Sequence, residues 1–501
     1  MRIENSKATA LDVLQRLADQ HAMIEQLASD SRRCAPGTAF FAYPGEAADG
    51  RHYIADALAR GASAVVWESD GFAWDAHWQV PNAGVTGLKQ QAGSIAHAFY
   101  GRPSEGVWVC GVTGTNGKTS CTQWIAAALD ALGMRSGVIG TLGYGFPGAL
   151  GGAQNTTPDV LELHAMLAEM KRAGARAVAM EASSHGLAQG RTNGVAFDCA
   201  LFTNLSHEHL DYHGSMDAYG AAKALLFEAP TLGAAVLNLD DVAGVRLAER
   251  ARARGLRTIG YSLMASDLVP GIVDEHLAAR SIAFEGEAMH VRLTSSWGDA
   301  EVALPHVGRF NVSNALGVLG CLLAYGVGFD VAIERLAALP PVAGRMQALG
   351  GGDAPLVIVD YAHTPDALEK ALHALRPIVE ARGGVLVAVF GAGGERDPAK
   401  RPAMGAVAGR LADRVVLTSD NPRSENPDAI LEAIRAGVGG ASQLEPDRAR
   451  AIRVAIQAAA PHDVILIAGK GHERTQEIAG ERRPFSDTDI ARAALAARGQ
   501  A

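Results

Sequence analysis

The chain is poor in cysteine, and its five (Cys34, Cys110, Cys121, Cys199 and Cys321) form no C-x-x-C pair across 501 residues. That argues against a disulfide framework. Most stand in apolar stretches, where a free thiol acts as a small hydrophobe, as suits a reducing compartment. Positive charge is also scarce, the net value being −9. No global basic field would recruit nucleic acid or an anionic membrane, so an anionic ligand needs local Arg, Lys, Mg²⁺ and helix ends. No apolar run reaches membrane-spanning length. The opening MRIENSKATALDVLQ lacks a basic region followed by an apolar one, so no secretory signal is expected. There is no internal repeat and no low-complexity tract. A soluble cytoplasmic protein follows, without membrane insertion or a nucleic-acid partner.

What remains is ordinary globular material, 48% hydrophobic and 20% charged. The length is too great for one core and implies two to four domains. The 57 glycines are spread along the chain, as many short strand–helix connections require.

The organising stretch is GVWVCGVTGTNGKTS at 106–120. Val107 to Val112 reads as a buried strand that empties into Gly114-Thr115-Asn116-Gly117-Lys118-Thr119. Trp124, Ile125, Ala128, Leu129 and Leu132 then recur at helical spacing. Strand, glycine loop, Lys-Thr and helix make a phosphate cradle, in which backbone N–H groups and the helix N-terminus meet phosphate oxygens. Lys118 would neutralise phosphate charge and Thr119 would ligate Mg²⁺. The loop departs from the standard nucleotide pattern, since Val112 stands where its first glycine belongs and Gly111 and Gly114 flank it.

Strand–helix alternation continues on both sides. Residues 1–102 predict a small α/β unit with a helix through Leu14 and Leu17, a strand at 62–67 and loops at Ser29 to Arg32 and Tyr43 to Arg51. Residues 103–339 predict a central unit. In it a strand at 177–180 delivers Glu181, a second at 200–203 delivers Asn204 and the cluster His207 to His213, and 280–304 alternates as strands do. Beyond Pro340-Pro341, strands at 356–359, 385–390, 415–419 and 464–468 alternate with helices over 340–501. That pattern predicts a mainly parallel sheet covered on both faces, with ligands at the strands' carboxyl ends.

Several residues carry candidate chemistry. Glu181 stands where a phosphate-loop enzyme holds Mg²⁺, or else it caps the next helix. His209 and His213 are spaced for one helical face, but zinc wants a third protein ligand, so assistance to a second Mg²⁺ is the more economical reading. Lys223, in an apolar helical stretch, reads by itself as a snorkelling surface lysine. Arg396, Asn421, Arg423 and Glu473 stand at different strand ends. They describe either a pocket for a zwitterionic amino acid, with Arg gripping carboxylate and Glu473 taking ammonium, or a surface ion-pair network.

Taken together the chain resembles the Mur ligases of peptidoglycan synthesis. The carriers are TGTNGKT (113–119), NTTPD (155–159), MEASSHGL (180–187), HLDYHG (209–214), FNVSN (310–314), GRM (344–346), DYAHTPD (360–366), GGERD (393–397), DNPR (420–423) and GKGHE (469–473). Within the family it is similar to the members that add meso-diaminopimelate to UDP-N-acetylmuramoyl-L-alanyl-D-glutamate. The resemblance implies an α/β protein of three domains: an N-terminal UDP-binding one (1–102), a central P-loop ATPase-like one (103–339) and a C-terminal Rossmann-like one (340–501).

It further implies that Ser29, Ser31 and the loop Glu46-Ala47-Ala48 bind the UDP end, although that loop differs from the family's residues. Gly114 to Ser120 would hold ATP, clasped by Asn311, Arg345, Asp360 and His363. Asn155, Thr156, Thr157, Ser183, Gln189 and Arg191 would line the muramoyl-peptide channel. Lys223 matches the family's carbamylated lysine, which with Thr119, Glu181 and His209 would place Mg²⁺; Lys118, Glu181, His209 and Lys223 form the catalytic set. Diaminopimelate would lie against Arg396, Asp420, Asn421, Pro422, Arg423, Gly469 and Glu473. A monomer is expected. The alternatives are the lysine-adding relative, the related folylpolyglutamate ligase, and a P-loop kinase or regulatory nucleotide-binding protein, which would leave DNPR and GKGHE unexplained.

Overall fold

In parallel sheets built from βαβ units every strand points its carboxyl end the same way, so the loops that follow the strands gather on one edge. A computed structural model describes residues 2–46, 48–152, 155–264, 271–285 and 288–498. It divides into two compact units, the first holding 1–278, 295–297 and 314–332, the second 279–294, 298–313 and 333–501.

The first unit opens with a four-stranded parallel sheet, β1 (Gln26–Ala28), β2 (Thr38–Ala42), β3 (Ala64–Glu68) and β4 (Asn82–Val85), in that order. β2 and β3 are apolar because both faces are covered: Phe41 and Val66 join one cluster with Val13, Leu17 and Ile95, while Phe40 and Val65 join another with Ile54. The larger sheet uses β5 (Trp108–Thr113), β6 (Ser136–Gly140), β7 (Gly143–Phe146), β8 (Ala149–Gly151), β9 (Ala177–Glu181), β10 (Cys199–Phe202), β11 (Ala234–Asn238), β12 (Arg257–Ser262) and the start of β13 (Glu275–Glu285). Its order is β13-β12-β11-β10-β5-β9-β6-β7-β8. The pairs from β13 to β6 are parallel, and β7 and β8 turn back antiparallel. β5 thus lies inside the sheet, between β9 and β10, and carries the phosphate loop at its carboxyl end.

In the second unit β13 neighbours β14 (Ala288–Ser295), which neighbours β15 (Gly298–Leu304), the strand pattern expected over 280–304. The six-stranded sheet there comprises β16 (Gln347–Gly350), β17 (Leu356–Asp360), β18 (Leu386–Phe390), β19 (Arg414–Leu417), β20 (Gln443–Leu444) and β21 (Val464–Ala468), ordered β16-β17-β21-β18-β19-β20. Only β16 is antiparallel to its neighbour. Alternation sorts its side chains to two faces. Ile358, Ala388 and Leu466 pack with Leu368 and Leu375, while Val357, Val389 and Ile467 pack with Ile452 and Ala491. A hairpin of β22 (Thr475–Ile478) and β23 (Glu481–Pro484) follows β21. Among the described residues no helix is long and apolar enough to cross a membrane.

Candidate active site

Strand register brings the acid to the loop. Val112 of β5 pairs with Glu181 of β9, and Thr113 pairs with Phe202 of β10. One residue past Thr113 the chain must turn sharply, and Gly114 does so at φ 147°; Gly117, at φ 86°, caps the helix Lys118–Ala131. Side chains do not fit either position. A methyl on Gly114 would lie 1.8 Å from Thr203 Oγ1, and one on Gly117 2.3 Å from Asn314 Oδ1.

The loop is tied down from β10. Thr115 N donates to Asn204 O at 2.8 Å and Asn116 N to Asn204 Oδ1 at 3.0 Å. Those two amides are spent. Lys118, Thr119 and Ser120 form the first turn of the helix, whose N-terminus carries the partial positive charge that favours an anion. Lys118 Nζ folds over the loop, donating to Gly114 O and Thr115 O at 2.9 Å each.

Glu181 is 1% exposed. Its Oε1 accepts from Thr119 Oγ1 at 3.0 Å and Thr141 N at 2.8 Å, and its Oε2 accepts from Thr141 Oγ1 at 3.2 Å. A carboxylate and a hydroxyl of the phosphate-loop helix at this distance form a hard-oxygen donor set, the kind Mg²⁺ takes. Glu181 therefore does not act as a cap; the next helix, Ser184–Ala188, is capped by Ser183 Oγ, which accepts from Gly186 N.

The surface reading of Lys223 is wrong. The residue is 1% exposed, its Nζ donates to Gly114 O at 2.8 Å, and it lies 4.3 Å from the Tyr219 ring centroid. Burial, with Lys118 nearby, drives its pKa well down. As an ammonium it cannot ligate a cation; a carbamate there would.

His209 opens a single helical turn, Leu210–His213, at φ 56°. Burial, then Lys118 and Lys223, hold its pKa down against the opposing pull of Glu208. Its ring lies 4.8 Å from that of His185, and His213 Nε2 is 3.0 Å from Ser184 Oγ. Among the described residues, the group of three potential ligands that converges is not histidine but the buried set Cys110, Cys199 and Cys321, so zinc at His209 and His213 gains nothing. All five cysteines are free and buried, and Cys34 packs in a hydrophobic cluster with Phe40 and Ile54.

Most expected channel residues cluster beside Glu181. Thr157 Oγ1 donates to Glu181 O at 2.8 Å and Ser183 Oγ at 3.0 Å. Thr156 Oγ1 is 3.1 Å from Thr141 Oγ1. Arg191 reaches Thr157 O at 2.8 Å and Gln189 Oε1 at 2.7 Å. Asn155 is exposed at the start of this segment. From the small sheet, Glu46 accepts from Gln189 Nε2 at 2.7 Å and from Tyr212 OH at 2.6 Å. Ala48 closes its loop by accepting from Gly45 N at 2.8 Å, and Ala47 lies outside the described residues. Ser31 is buried; Ser29 lines a cavity of about 440 Å³ with Asp30, Arg33, Tyr100 and Asp159. Sequence reasoning passed over Thr141, which lacks any motif, and Tyr212, although HLDYHG contains it.

The second unit holds two groups at its strand ends. Asp360, at the end of β17, accepts from Met346 N and Ala362 N at 2.8 Å each. Burial raises its pKa, while Arg345 opposes. The Arg345 guanidinium lies 4.9 Å from the Tyr361 ring centroid, His363 Nδ1 2.8 Å from Tyr361 O, and Asn311 Nδ2 donates to Val307 O at 2.8 Å. The other group follows β18, β19 and β21. Asn421 Nδ2 donates to Glu473 Oε2 at 2.8 Å, and Arg423 donates to Gly394 O. A methyl on Gly393 would lie 3.3 Å from Arg423 Nη1 and 3.7 Å from Arg396 Cγ, so the two arginines flank one glycine. Asp420 is buried, and a methyl on Gly469 would meet its Oδ2 at 2.4 Å; Pro422 O stands beside Gly394. Glu473 also accepts from Lys470 Nζ at 2.7 Å, a partner the motif GKGHE contained but sequence reasoning left without a role.

Three family models match the chain in order. The Mur ligase family catalytic-domain model covers residues 23–100, the Mur ligase middle domain 112–322, and the Mur ligase glutamate ligase domain 344–471. The UDP-N-acetylmuramoyl-L-alanyl-D-glutamate–2,6-diaminopimelate ligase of Ralstonia nicotianae is 52% identical over 481 residues, 94% of this chain and 93% of its own. The enzyme of the same name from Pseudomonas aeruginosa is 51% identical over 482 residues, 96% of each chain. A solved structure of a ligase of that name matches with a TM-score of 0.69 at 34% identity, over 95% of both chains. The chain belongs to the Mur ligase family.

Proposed function

We propose that the chain is an ATP-dependent ligase that adds meso-diaminopimelate to UDP-N-acetylmuramoyl-L-alanyl-D-glutamate during peptidoglycan precursor synthesis. The observation that carries the choice of amino acid is the strand-end group in which the Asn421–Glu473 hydrogen bond of 2.8 Å adjoins Arg396 and Arg423. Such a group offers a carboxylate for ammonium and guanidinium forks for carboxylate. Diaminopimelate differs from lysine by one distal carboxylate, so lysine would leave those donors unpaired, a mismatch that can discriminate by roughly 10⁴-fold.

The reaction follows from charge. The γ-carboxylate of the substrate's D-glutamate attacks the ATP γ-phosphate, giving an acyl phosphate and ADP. Both reactants are anions. The helix N-terminus at Lys118 to Ser120 and the Lys118 ammonium would hold the phosphates, and Thr119 and Glu181, with His209 and a carbamylated Lys223, would hold Mg²⁺. Bound there, Mg²⁺ supplies neutralisation of the phosphate charge. The depressed pKa of Lys223 favours the neutral amine that reacts with CO₂, releasing a proton as the carbamate forms. The neutral amine of diaminopimelate then attacks the acyl carbon, and phosphate leaves. Positioning of the two substrates is the main catalytic contribution. Thr156, Thr157, Ser183, Gln189 and Arg191 would line the muramoyl peptide, and Ser29, Ser31 and the loop at Glu46 the UDP end. Arg345, Asp360, His363 and Asn311 would serve the nucleotide.

The test is phosphate release from ATP with the UDP-muramoyl dipeptide plus diaminopimelate, lysine or neither. Release only with diaminopimelate is expected. Release indifferent to the amino acid would remove the ligase reading, and release with lysine alone would favour the lysine-adding relative.

A further inference from the structure

Lys470 is a charge the mechanism above does not use. Its side chain is fully buried, immediately after β21, and no surface role is open to it. Nζ donates to Glu473 Oε2 at 2.7 Å and to Asn421 Oδ1 at 2.9 Å. Asn421 Nδ2 closes the triangle on the same Glu473 oxygen at 2.8 Å, and Asn421 Oδ1 also accepts from Glu477 N at 3.0 Å. A cation and a backbone amide on Oδ1 decide which way the Asn421 amide faces, since neither can be satisfied by an NH₂ group. Glu473 Oε2 is saturated by two donors. Its Oε1 is left as the acceptor on a side chain that is 29% exposed.

The backbone on which this triangle stands is braced as well. Arg448, buried behind the strand ends, donates to Ser419 O at 3.3 Å and Ala468 O at 2.9 Å, and its guanidinium is held by Asp487 at 2.7 Å. Ser419 lies two residues before Asn421, and Ala468 two before Lys470. The geometry is therefore that of a preset acceptor.

We propose that Lys470 is a positioning and specificity residue of the amino-acid site, orienting Asn421 and Glu473 so that Glu473 Oε1 receives an ammonium group of a diamino dicarboxylic acid. The inference rests on the amino-acid site proposed above and adds to it a residue that touches no substrate. The physical reason for the cation is that Arg396 and Arg423 belong to the same strand-end group. An unheld Glu473 would be drawn into pairing with a guanidinium, which would consume both the ammonium acceptor and a carboxylate donor. Lys470 occupies Glu473 from the buried side and leaves the arginines for the ligand's carboxylates.

The experiment is a double-mutant cycle on the full chain with Lys470→Met, Glu473→Gln and both, reading kcat and KM for diaminopimelate, KM for ATP, and the thermal midpoint. Lys470→Met is expected to raise the diaminopimelate KM by about 10–100-fold, the scale of a charged hydrogen bond. The ATP KM should stay unchanged and kcat at saturation within about threefold. The double variant should be scarcely worse than Glu473→Gln alone, because Lys470 acts through Glu473. A diaminopimelate KM that does not move in Lys470→Met, fully additive losses, or an equal rise in the ATP KM would overturn the assignment while wild-type turnover of diaminopimelate upholds the reading of the site. A wild-type enzyme that ignores diaminopimelate would remove both. If Lys470→Met does not fold, Lys470→Gln, which keeps a donor but no charge, carries the same expectations.

Discussion

Thr119 Oγ1 and Glu181 Oε1 are joined by a 3.0 Å hydrogen bond between the first turn of the phosphate-loop helix and the end of β9. The pairing of Val112 with Glu181 sets this distance, so the acid's position is a property of the sheet and not of a flexible loop. Glu181→Gln keeps the volume and can accept from Thr119, but it removes the anion that a divalent ion requires. Activity is expected to fall by about 10²–10³-fold, with the Mg²⁺ concentration for half-maximal rate raised and the fold intact by circular dichroism. An unchanged Mg²⁺ dependence would count against the metal role.

Gly117 tests the loop. At φ 86°, with Asn314 Oδ1 2.3 Å from where a Cβ would stand, Gly117→Ala is strained both ways. A residue forced into such a conformation costs about 1–3 kcal/mol. The KM for ATP should rise at least about tenfold through the displaced amides of Lys118 and Thr119. Gly133→Ala, at φ 77° with open space around it, should cost stability but leave the ATP KM alone.

The strands were legible because their chemistry is one-dimensional. β17, β18 and β21 are buried on both faces, so they show as apolar runs, and the Asp360 that ends β17 and the glycines that follow β18 and β21 mark the ligand edge. Glu181 was found in that way. Lys223 was misread because helical periodicity says which face a residue occupies but not whether another element covers that face. The covering Gly114 stands 109 positions away in sequence. Thr141 escaped for a similar reason, since it joins Glu181 only through the return of β6 beside β9. The family motifs named Glu473 and Asn421, but not that Lys470 holds them together, because a motif records spacing and not hydrogen bonds.

Arg423 stands at φ 53°, its N–H on Glu477 O at 3.1 Å and its carbonyl taken by Ala479 N at 2.6 Å. Lysine can adopt the same backbone, so Arg423→Lys changes the fork and little else. Preference for diaminopimelate over lysine, as a ratio of kcat/KM, is expected to fall at least about tenfold, with the ATP KM unchanged. Selectivity equal to wild type would show that the distal carboxylate is read elsewhere.

Burial holds the His164 imidazole at about 4, well below the ordinary 6.5 of histidine, with Nε2 2.9 Å from Asn193 O. The folded state favours the neutral ring and the unfolded chain binds the proton more readily. The stability this contributes is present above pH 6.5 and is lost as pH falls toward 4. His306 and His472 are held at about 4 by burial in the same sense. The urea midpoint is expected to drop between pH 6.5 and 4, and His164→Gln to flatten part of that slope by an amount on the order of 1–3 kcal/mol. A slope the same in wild type and His164→Gln would assign the acid sensitivity to groups other than His164.

Arg448 and Asp487 form an ion pair with both side chains fully buried, Nη2 to Oδ2 at 2.7 Å and Nε to Oδ1 at 2.8 Å. The guanidinium also satisfies Ser419 O and Ala468 O, so the pair links the carboxyl ends of β19 and β21 to the helix Asp487–Arg498. Removing one partner strands the other charge without water, which costs about 3–5 kcal/mol. Asp487→Asn should therefore lower the thermal midpoint strongly. Arg448→Met with Asp487→Leu removes both charges together and should recover part of that loss. The double variant still lacks the donors on Ser419 and Ala468, so its KM for diaminopimelate should stay raised although part of its stability returns. Recovery of both would mean that the pair sustains the fold alone and does not position Asn421 and Lys470.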